Sequence, residues 1–181
     1  MEGYMKSITI YILLAVIIFT GKGCEEMLHA NEQLPDQEYF FLYEYINFAW
    51  GYQHNGWLMD SAGTARYFEV PEKWMVPSTD AAIEIPGIEN YVSRADSVIT
   101  KVDRSVLIRK AQLIDAAAKG KFTDPENVMA DAGSWSYYAL QYDRDSETCE
   151  RILLKQDGDW EIENLSEAAM ELYDWMQSIT E

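Results

Sequence analysis

The sequence predicts an α+β fold: an antiparallel sheet built from an N-terminal three-strand meander and a C-terminal hairpin unit of two or three strands, with a central helix or helix pair and a C-terminal helix packed on it. Segments of strand-type and helix-type composition stand in separate blocks, whereas a doubly wound fold would alternate them. Short turn signals also separate runs of aromatic and β-branched residues, as in strands joined by hairpins. We therefore expect one globular domain over residues 37–181.

The first block of strands begins with an aromatic run from Tyr39 to Tyr52. Aromatic and branched residues dominate this run and its polar residues show no helical spacing, so it predicts a long strand that is central in its sheet. Asn55-Gly56 predicts a hairpin turn, because both central residues of that turn need a positive φ. Trp57 to Met59 is then the second strand, and a turn at residues 60–63 leads into a third strand from Thr64 to Val70.

The middle of the chain has helical spacing. Pro71 to Gly87 contains three prolines and is expected to be irregular, held in place by Trp74. One helical face follows, and it consists of Ile88, Val92, Ala95, Ile99 and Val102. A second face, which Asp103 would cap and Gly120 would end, consists of Leu107, Ala111, Ile114 and Ala118. The pattern fits either one bent helix or two.

The C-terminal block returns to strand composition after a loop from Lys121 to Gly133. Strands are predicted from Ser134 to Tyr142 and from Cys149 to Lys155. An Asp157-Gly158 turn then leads into a short strand from Asp159 to Glu163.

A helix is predicted at the C-terminus of the chain. Asn164 and Glu167 have the spacing of a capping box, and Ser166 is the rival N-cap. The buried stripe of this helix is expected to consist of Ala168 or Ala169, Leu172, Trp175 and Ile179.

The composition is strongly acidic. The 181 residues have a formal net charge of −17, and without the first 23 residues 12 basic and 30 acidic residues leave −18. Nucleic-acid binders and surfaces that bind anionic lipid headgroups present clustered lysines and arginines, so this composition argues against both kinds of partner. Solubility explains the acidity, and a basic partner is the alternative interpretation.

Residues 1–23 are predicted to be a secretory signal peptide. The apolar run at residues 8–19, ITIYILLAVIIF, is about 12 residues long, which suits a signal-peptide core and is shorter than the roughly 20 residues of a membrane-spanning helix. Polar residues do not recur in it every three or four positions, as they would in a helix of a protein core. An uncleaved signal anchor and a buried N-terminal helix are the alternatives.

Cys24 follows this run directly after the small residue Gly23. In this respect the N-terminus resembles a bacterial lipoprotein signal peptide, although that family prefers leucine and a small residue where this chain has Gly21 and Lys22. The resemblance implies lipid attachment at Cys24, a tether over residues 24–36, and a membrane-anchored location in the bacterial cell envelope, on its periplasmic or surface side. The alternative is ordinary signal cleavage, which gives a secreted soluble protein with a free thiol.

The sequence contains no evident arrangement of nucleophile and base. Cys149 lies in a predicted strand beside a glutamate, so a buried structural thiol is predicted instead of a reactive one. His29 falls in the predicted tether, and His54 abuts the predicted turn, where an exposed polar residue needs no catalytic role. Neither Ser136 nor Ser166 is part of a nucleophile-elbow motif.

The sequence predicts neither a metal site nor a cofactor site. Asp143, Asp145 and Glu147 alternate, but an EF-hand loop counted from Asp143 would need glycine and glutamate where the chain has Thr148 and Leu154. A solvated turn is therefore predicted there. The cysteines and histidines do not have zinc spacing, and glycine-rich phosphate loops are absent from the sequence.

Aromatic residues are abundant for one domain, with 6 tryptophans and 12 tyrosines in the chain, so some are expected outside the core. A strand with tyrosines on its second face would present an aromatic surface to a protein or glycan ligand. Trp74 and Tyr137 are the candidate binding residues, and the loop from Lys121 to Gly133 is the candidate rim.

Together these features predict a non-enzymatic binding or interaction domain. One alternative is a hydrolase that acts on an envelope polymer through an acidic pair. The chain has 31 acidic residues, so the sequence does not show which two would form that pair. Another is an inhibitor or protective protein for a basic partner.

Overall fold

The computed structural model describes residues 33–70 and 82–179, with the backbone alone described for residues 82–86. Residues Leu34–Glu181 form one compact unit. The predicted signal peptide, Cys24 and Trp74 lie outside the described residues. In chain order the elements are β1 (Tyr39–Asn47), β2 (Gln53–Asp60), β3 (Thr64–Glu69), β4 (Ala82–Glu84), α1 (Ile85–Val92), β5 (Ser97–Lys101), α2 (Arg104–Ala111), α3 (Ile114–Ala117), β6 (Glu126–Asn127), β7 (Ser134–Asp143), β8 (Thr148–Gly158), β9 (Trp160–Glu163) and α4 (Glu167–Gln177).

The strands pair into an antiparallel sheet, which together with the helices confirms the predicted α+β class. The strand order is β5-β3-β2-β1-β7-β8-β9-β6, and β4 pairs with β8 beside this path. β1 is therefore a central strand, with β2 on one side and β7 on the other. The N-terminal and C-terminal blocks of strands thus meet along β1 and β7.

The sheet has a hydrophobic core on each side. Phe41 and Leu42, neighbours in β1, are both buried and belong to different cores, because successive side chains of a strand point to opposite faces. The first core is covered by α2, α3 and α4, with Leu172 of α4 fully buried in it, and we call this the α4 side. The second core includes Ile88 and Tyr91 of α1, and we call this the α1 side.

The predicted hairpin turn at Asn55-Gly56 is wrong. Both residues lie inside β2, where each pairs with a residue of β1. The turn between β1 and β2 occupies residues 48–52 instead, and Gly51 in that turn has a φ of 100°. A side chain at position 56 would collide with the carbonyl oxygen of Tyr43. The close approach of two strands, and not a turn, therefore requires this glycine.

The middle of the chain contains less helix than the spacing predicts. Helix α1 ends at Val92, and Ile99 of the predicted first face lies in β5, which pairs with β3. Because β5 is rich in β-branched residues, it favours a strand once β3 offers a partner. The second face divides into α2 and α3, which are separated by Gln112 and Leu113. Residues 82–87, predicted to be irregular, form β4 and the start of α1.

Helix α4 begins after Ser166, one of its two predicted N-caps. The Ser166 Oγ accepts a hydrogen bond of 3.1 Å from Ala169 N. Asn164, the other predicted cap, is fully buried, and its Nδ2 donates to the carbonyl oxygens of Ala117 and Leu153. At 11 residues α4 is the longest helix of the described ranges, and none of the helices there has the length and hydrophobicity of a membrane span.

Candidate functional site

A cavity of about 900 Å³ opens on the α1 side of the sheet, against β1, β7 and β8. This volume is within the range of small-molecule and cofactor sites, which is about 300–1,000 Å³. Residues 150–153 of β8 all line it, although alternate side chains of a strand point to opposite faces. The cavity therefore reaches around the outer edge of β8. There β4 pairs with residues 148–150, β9 pairs with residues 155–156, and no described strand pairs between them.

A buried ionic cluster forms the floor of the cavity. Glu44 and Arg151 are 2% and 7% exposed, and Arg151 Nη1 lies 3.3 Å from Glu44 Oε1. The other carboxylate oxygen, Oε2, lies 3.1 Å from His54 Nε2 and accepts a hydrogen bond of 3.4 Å from the Tyr91 hydroxyl. Behind the imidazole, the Tyr52 hydroxyl lies 3.1 Å from His54 Nδ1. We call Glu44, Tyr52, His54, Tyr91 and Arg151 the Glu44 cluster.

The register of the sheet brings the Glu44 cluster together. Glu44 is in β1, and the pairing of β1 with β2 places Gly56 directly opposite it and His54 opposite Ile46. Because Gly56 has no side chain, the carboxylate is open to the imidazole of His54 on the same face. Arg151 reaches the carboxylate from β8, across β7. A buried charge is tolerated when such partners satisfy it, so each member stabilises the others in place.

Burial further favours the protonated form of the tyrosines near this floor. Burial raises the pKa of Tyr91, and the negative charge of Glu44 raises it further, while Arg151 opposes both. Burial and Glu44 also raise the pKa of Tyr138, whose ring centroid lies 5.2 Å from Arg151 Cζ. Both hydroxyls are therefore protonated at neutral pH. His54 lies between the two groups, with Nε2 facing the Glu44 carboxylate and Nδ1 facing the Tyr52 hydroxyl.

The other charged residues of the lining are acidic. Asp131, Glu150 and Asp159 line the cavity, and among the described lining residues only Arg151 is basic. Asp159 Oδ1 accepts a hydrogen bond of 2.8 Å from the backbone N–H of Ala132, and Asp131 has a φ of 65°. Since Arg151 is paired with Glu44, three carboxylates determine the charge of the cavity, which is electronegative.

Exposed apolar side chains line the cavity or lie close in the chain to residues that line it. Phe48 and Phe122 line it and are 58% and 49% exposed. Trp160 precedes Ile162 by two residues on β9, and Ile162 lines the cavity, so both side chains are on the same face of the strand. Trp50, which follows a lining residue in the turn after β1, is 79% exposed. We call these side chains the rim: Phe48, Trp50, Phe122 and Trp160.

The binding residue that the sequence predicts within the described ranges does not line this cavity. Tyr137 lies on the α4 side, where its ring centroid is 4.9 Å from that of Tyr43 and 5.0 Å from that of Tyr173. It packs against the first hydrophobic core. The loop from Lys121 to Gly133, predicted as a rim, does contribute to the lining through Phe122 and Asp131.

The sequence alone does not point to the Glu44 cluster. The prediction that His54 is exposed beside a turn is wrong, because this residue is 1% exposed within β2 and the turn lies elsewhere. One available signal is Glu44 itself, a charge in the middle of a highly apolar strand, which needs a polar or cationic partner if it is buried. The sequence does not show which of the 14 lysines and arginines is that partner.

The other candidates from the sequence have structural roles. Cys149 is buried in β8, as predicted, and burial raises its pKa to about 11 although the charge of Arg151 opposes this. A thiol with a raised pKa is a poor nucleophile. Asp143 accepts hydrogen bonds from Asp145 N and Ser146 Oγ, which stabilise the turn between β7 and β8. In residues 33–70 and 82–179, no three metal-ligating side chains form a group that could hold a metal ion.

Comparisons with protein-family models, with curated proteins and with solved structures found no match to this chain. A function therefore has to be argued from the site and not from a relative. The physical features of the site are a cavity with a buried, internally paired floor, an acidic lining and an apolar rim.

Proposed function

We propose that this protein is exported, is anchored to the membrane of the bacterial cell envelope by lipid on Cys24, and binds a ligand in the cavity without transforming it. The main support for binding is that a cavity of about 900 Å³ has both a buried polar floor and an exposed apolar rim. Exposed apolar groups beside a cavity are typical of a surface that a ligand covers. The apolar leader and the cysteine that follows it support export and anchoring.

The fold suits this role as a scaffold. In our proposal the meander of β1, β2 and β3 and the unit of β7, β8 and β9 together hold the floor of the site. Side chains on paired strands are positioned more accurately than side chains on loops. The helices α2, α3 and α4 pack on the opposite side of the sheet, and the cavity meets them only at Ala118, the C-cap of α3, where it reaches around the edge of β8.

Binding is better supported than hydrolysis by an acidic pair. A glycosidase needs one carboxyl group that gives a proton to the leaving group and a second carboxylate on the other side of the bond. Here both oxygens of Glu44 are engaged, one by Arg151 and the other by His54 and Tyr91. Asp159 is also engaged, by the backbone N–H of Ala132. Hydrolysis of an envelope polymer is therefore the outcome that would replace this proposal.

Filling the cavity tests the proposal directly. Ser134 lines the cavity and is half-buried, so Ser134→Trp would place an indole where the ligand would bind. The immobilised wild-type domain is expected to capture a ligand from envelope extracts. We expect the variant to capture at least about tenfold less of this ligand. Ser105→Trp is the matched control, because it adds the same side chain at an exposed position of α2.

The outcomes of this capture experiment separate the hypotheses. A ligand held equally by wild type and by both variants would show that the cavity is not the binding site. A captured polymer that wild type cleaves, and that the cavity-filled variant does not, would identify a hydrolase. Each captured ligand is identified by mass spectrometry and then rebound in pure form.

The anchor is tested separately by the intact mass of protein from the membrane fraction. We expect a chain that begins at Cys24 and carries added acyl mass, since that is the product of lipoprotein processing. Cys24→Ser should release the protein into the soluble fraction. A soluble, unmodified wild-type protein would contradict the anchor without affecting the proposal on binding.

A further inference from the structure

We propose that the cavity binds a basic, amphipathic peptide segment, with a lysine or arginine side chain among the lining carboxylates and apolar side chains against the rim. This inference rests on the proposed function and adds to it the chemistry of the ligand. It combines three features of the described residues: the charge of the lining, the composition of the rim, and the extent of the rim beyond the cavity.

The charge of the lining selects a cation. Glu44 and Arg151 neutralise each other on the floor, which leaves Asp131, Glu150 and Asp159 unbalanced by any other described lining residue. Asp159 accepts a hydrogen bond from the backbone of Ala132, which places it beside Asp131, whereas Glu150 lines the cavity near the β4 end of β8. Carboxylates in a concave site with low-dielectric walls concentrate their field and attract a cation. The exposed Lys119 and Lys121 are near this site in the chain, but they do not line the cavity.

The composition of the rim suits a long basic side chain. Four aromatic side chains of the rim, Phe48, Trp50, Phe122 and Trp160, expose their rings to solvent. An ammonium or guanidinium group is attracted to the face of an aromatic ring, and the apolar stem of lysine or arginine packs against it. Tryptophan is also among the residues that contribute most to binding at protein interfaces.

The extent of the rim favours a peptide over a small free amine. Trp50 is 79% exposed at the turn after β1 and Trp160 is 47% exposed in β9, and neither of them lines the cavity. A ligand confined to the cavity would leave these two side chains in water. A peptide segment would cover them while one of its basic side chains enters the cavity. The outer edge of β8 is not paired with any described strand between β4 and β9, so such a segment could also extend along this edge.

The test compares synthetic peptides with the mature protein. The first has about ten residues of alternating lysine and leucine, and the second has glutamine in place of each lysine. We expect calorimetry and tryptophan fluorescence to show binding of the lysine peptide, weakened at least about tenfold between low and high salt because screening reduces the attraction. We expect no measurable binding of the glutamine peptide, and none of a simple alkylamine.

Paired variants separate a specific site from general attraction to an acidic protein. Asp131→Asn with Glu150→Gln removes two lining charges, and asparagine tolerates the positive φ at position 131. We expect this variant to bind the lysine peptide about tenfold more weakly. Asp174→Asn with Glu69→Gln removes the same charge at two exposed positions outside the cavity and should bind as wild type does. Circular dichroism confirms that all variants are folded.

The inference is overturned if the lysine peptide does not bind, or if both charge variants weaken it equally. Equal affinity for the alkylamine would overturn the choice of a peptide. A neutral ligand that the cavity captures in the Ser134→Trp comparison would also overturn it, while the proposed function would stand. If the capture experiment fails but the lysine peptide still binds and still depends on the lining charges, this inference stands. The proposal that the natural ligand is in the envelope is then contradicted.

Discussion

At the scale of single residues, Glu44 has the most unusual position in the chain. Its carboxylate is buried in the central strand, where an unpaired charge would be strongly destabilising. Arg151, His54 and Tyr91 satisfy it from three other elements. Replacing a buried ion pair by apolar groups is often nearly neutral for stability. In our proposal, the cluster therefore serves to order the polar floor of the site.

Removing one charge of the floor should destabilise the domain more than removing both. Glu44→Leu leaves Arg151 buried without its carboxylate, and we expect it to cost about 3–5 kcal/mol of the free energy of unfolding. Glu44→Leu with Arg151→Met removes both charges and should recover at least about half of that loss. Urea denaturation followed by tryptophan fluorescence measures both. A double variant no more stable than Glu44→Leu alone would contradict the pairing.

The buried thiol of Cys149 should make stability fall at alkaline pH. Its pKa rises from 9.0 to about 11 on folding. The contribution of the protonated thiol to the free energy of unfolding is therefore complete below pH 9 and is lost as the pH rises through 11. The wild type should lose about 2–3 kcal/mol from this group between neutral pH and pH 11. Cys149→Ala should show a flatter pH dependence of the free energy of unfolding. Tyrosine titration affects both proteins alike, so identical slopes would contradict a raised thiol pKa.

At the scale of elements, β2 shows how one dipeptide can support two interpretations. Asn-Gly is the strongest short signal for a hairpin, yet here it lies within a strand. The reason is steric, because the chain at Gly56 passes so close to the carbonyl of Tyr43 that a side chain does not fit. The same missing side chain leaves Glu44 open to His54, so the glycine serves both strand packing and the floor of the cavity.

A methyl group at Gly56 should therefore be costly. We expect Gly56→Ala to reduce the free energy of unfolding by about 2–4 kcal/mol, because the group it meets is backbone that is held by strand pairing. Asn55→Ala is the matched control in the same strand and should cost less than about 1 kcal/mol. Thermal and urea unfolding measure both variants. Losses of equal size would mean that the two residues act together as a turn.

At the scale of the whole molecule, net charge is the dominant property. Residues 24–181 contain 30 acidic and 12 basic residues, and this excess repels itself in the compact state. Most of the acidic side chains in the described part of the chain are exposed, where salt screens them. In our inference, the acidity also directs basic segments to the cavity.

Salt should stabilise the mature chain. Raising sodium chloride from about 0.01 M to about 0.5 M should increase the Tm by about 3–5 °C, because screening reduces self-repulsion. Choline chloride at equal ionic strength is the control and should give the same increase. An increase with sodium alone would indicate a specific cation site, and a decrease with both salts would mean that attractive ion pairs outweigh the repulsion.

Much of the fold could be predicted from local composition. The strands β3 and β7 begin where the sequence places them, and α4 starts after one of its two predicted caps. The helical faces around Ile99 were less predictable, since a β-branched segment adopts the conformation that its neighbours offer. The candidate site was less predictable still. The sequence pointed to Tyr137, which lies on the opposite face of the sheet from the Glu44 cluster that lines the cavity.

The sequence by itself determined the α+β class, because blocks of strand and helix composition are local, and it determined the acidic charge, which is a property of composition alone. It also indicated the Ser166 cap, which depends on neighbouring residues, but it misplaced the turn after β1. Only the tertiary structure decided which residues meet on the floor of the cavity. Glu44 and Arg151 are 107 positions apart, and they touch because β7 lies between β1 and β8 in one register. That register depends on which whole strands pair and which faces they bury, and no local pattern contains this information.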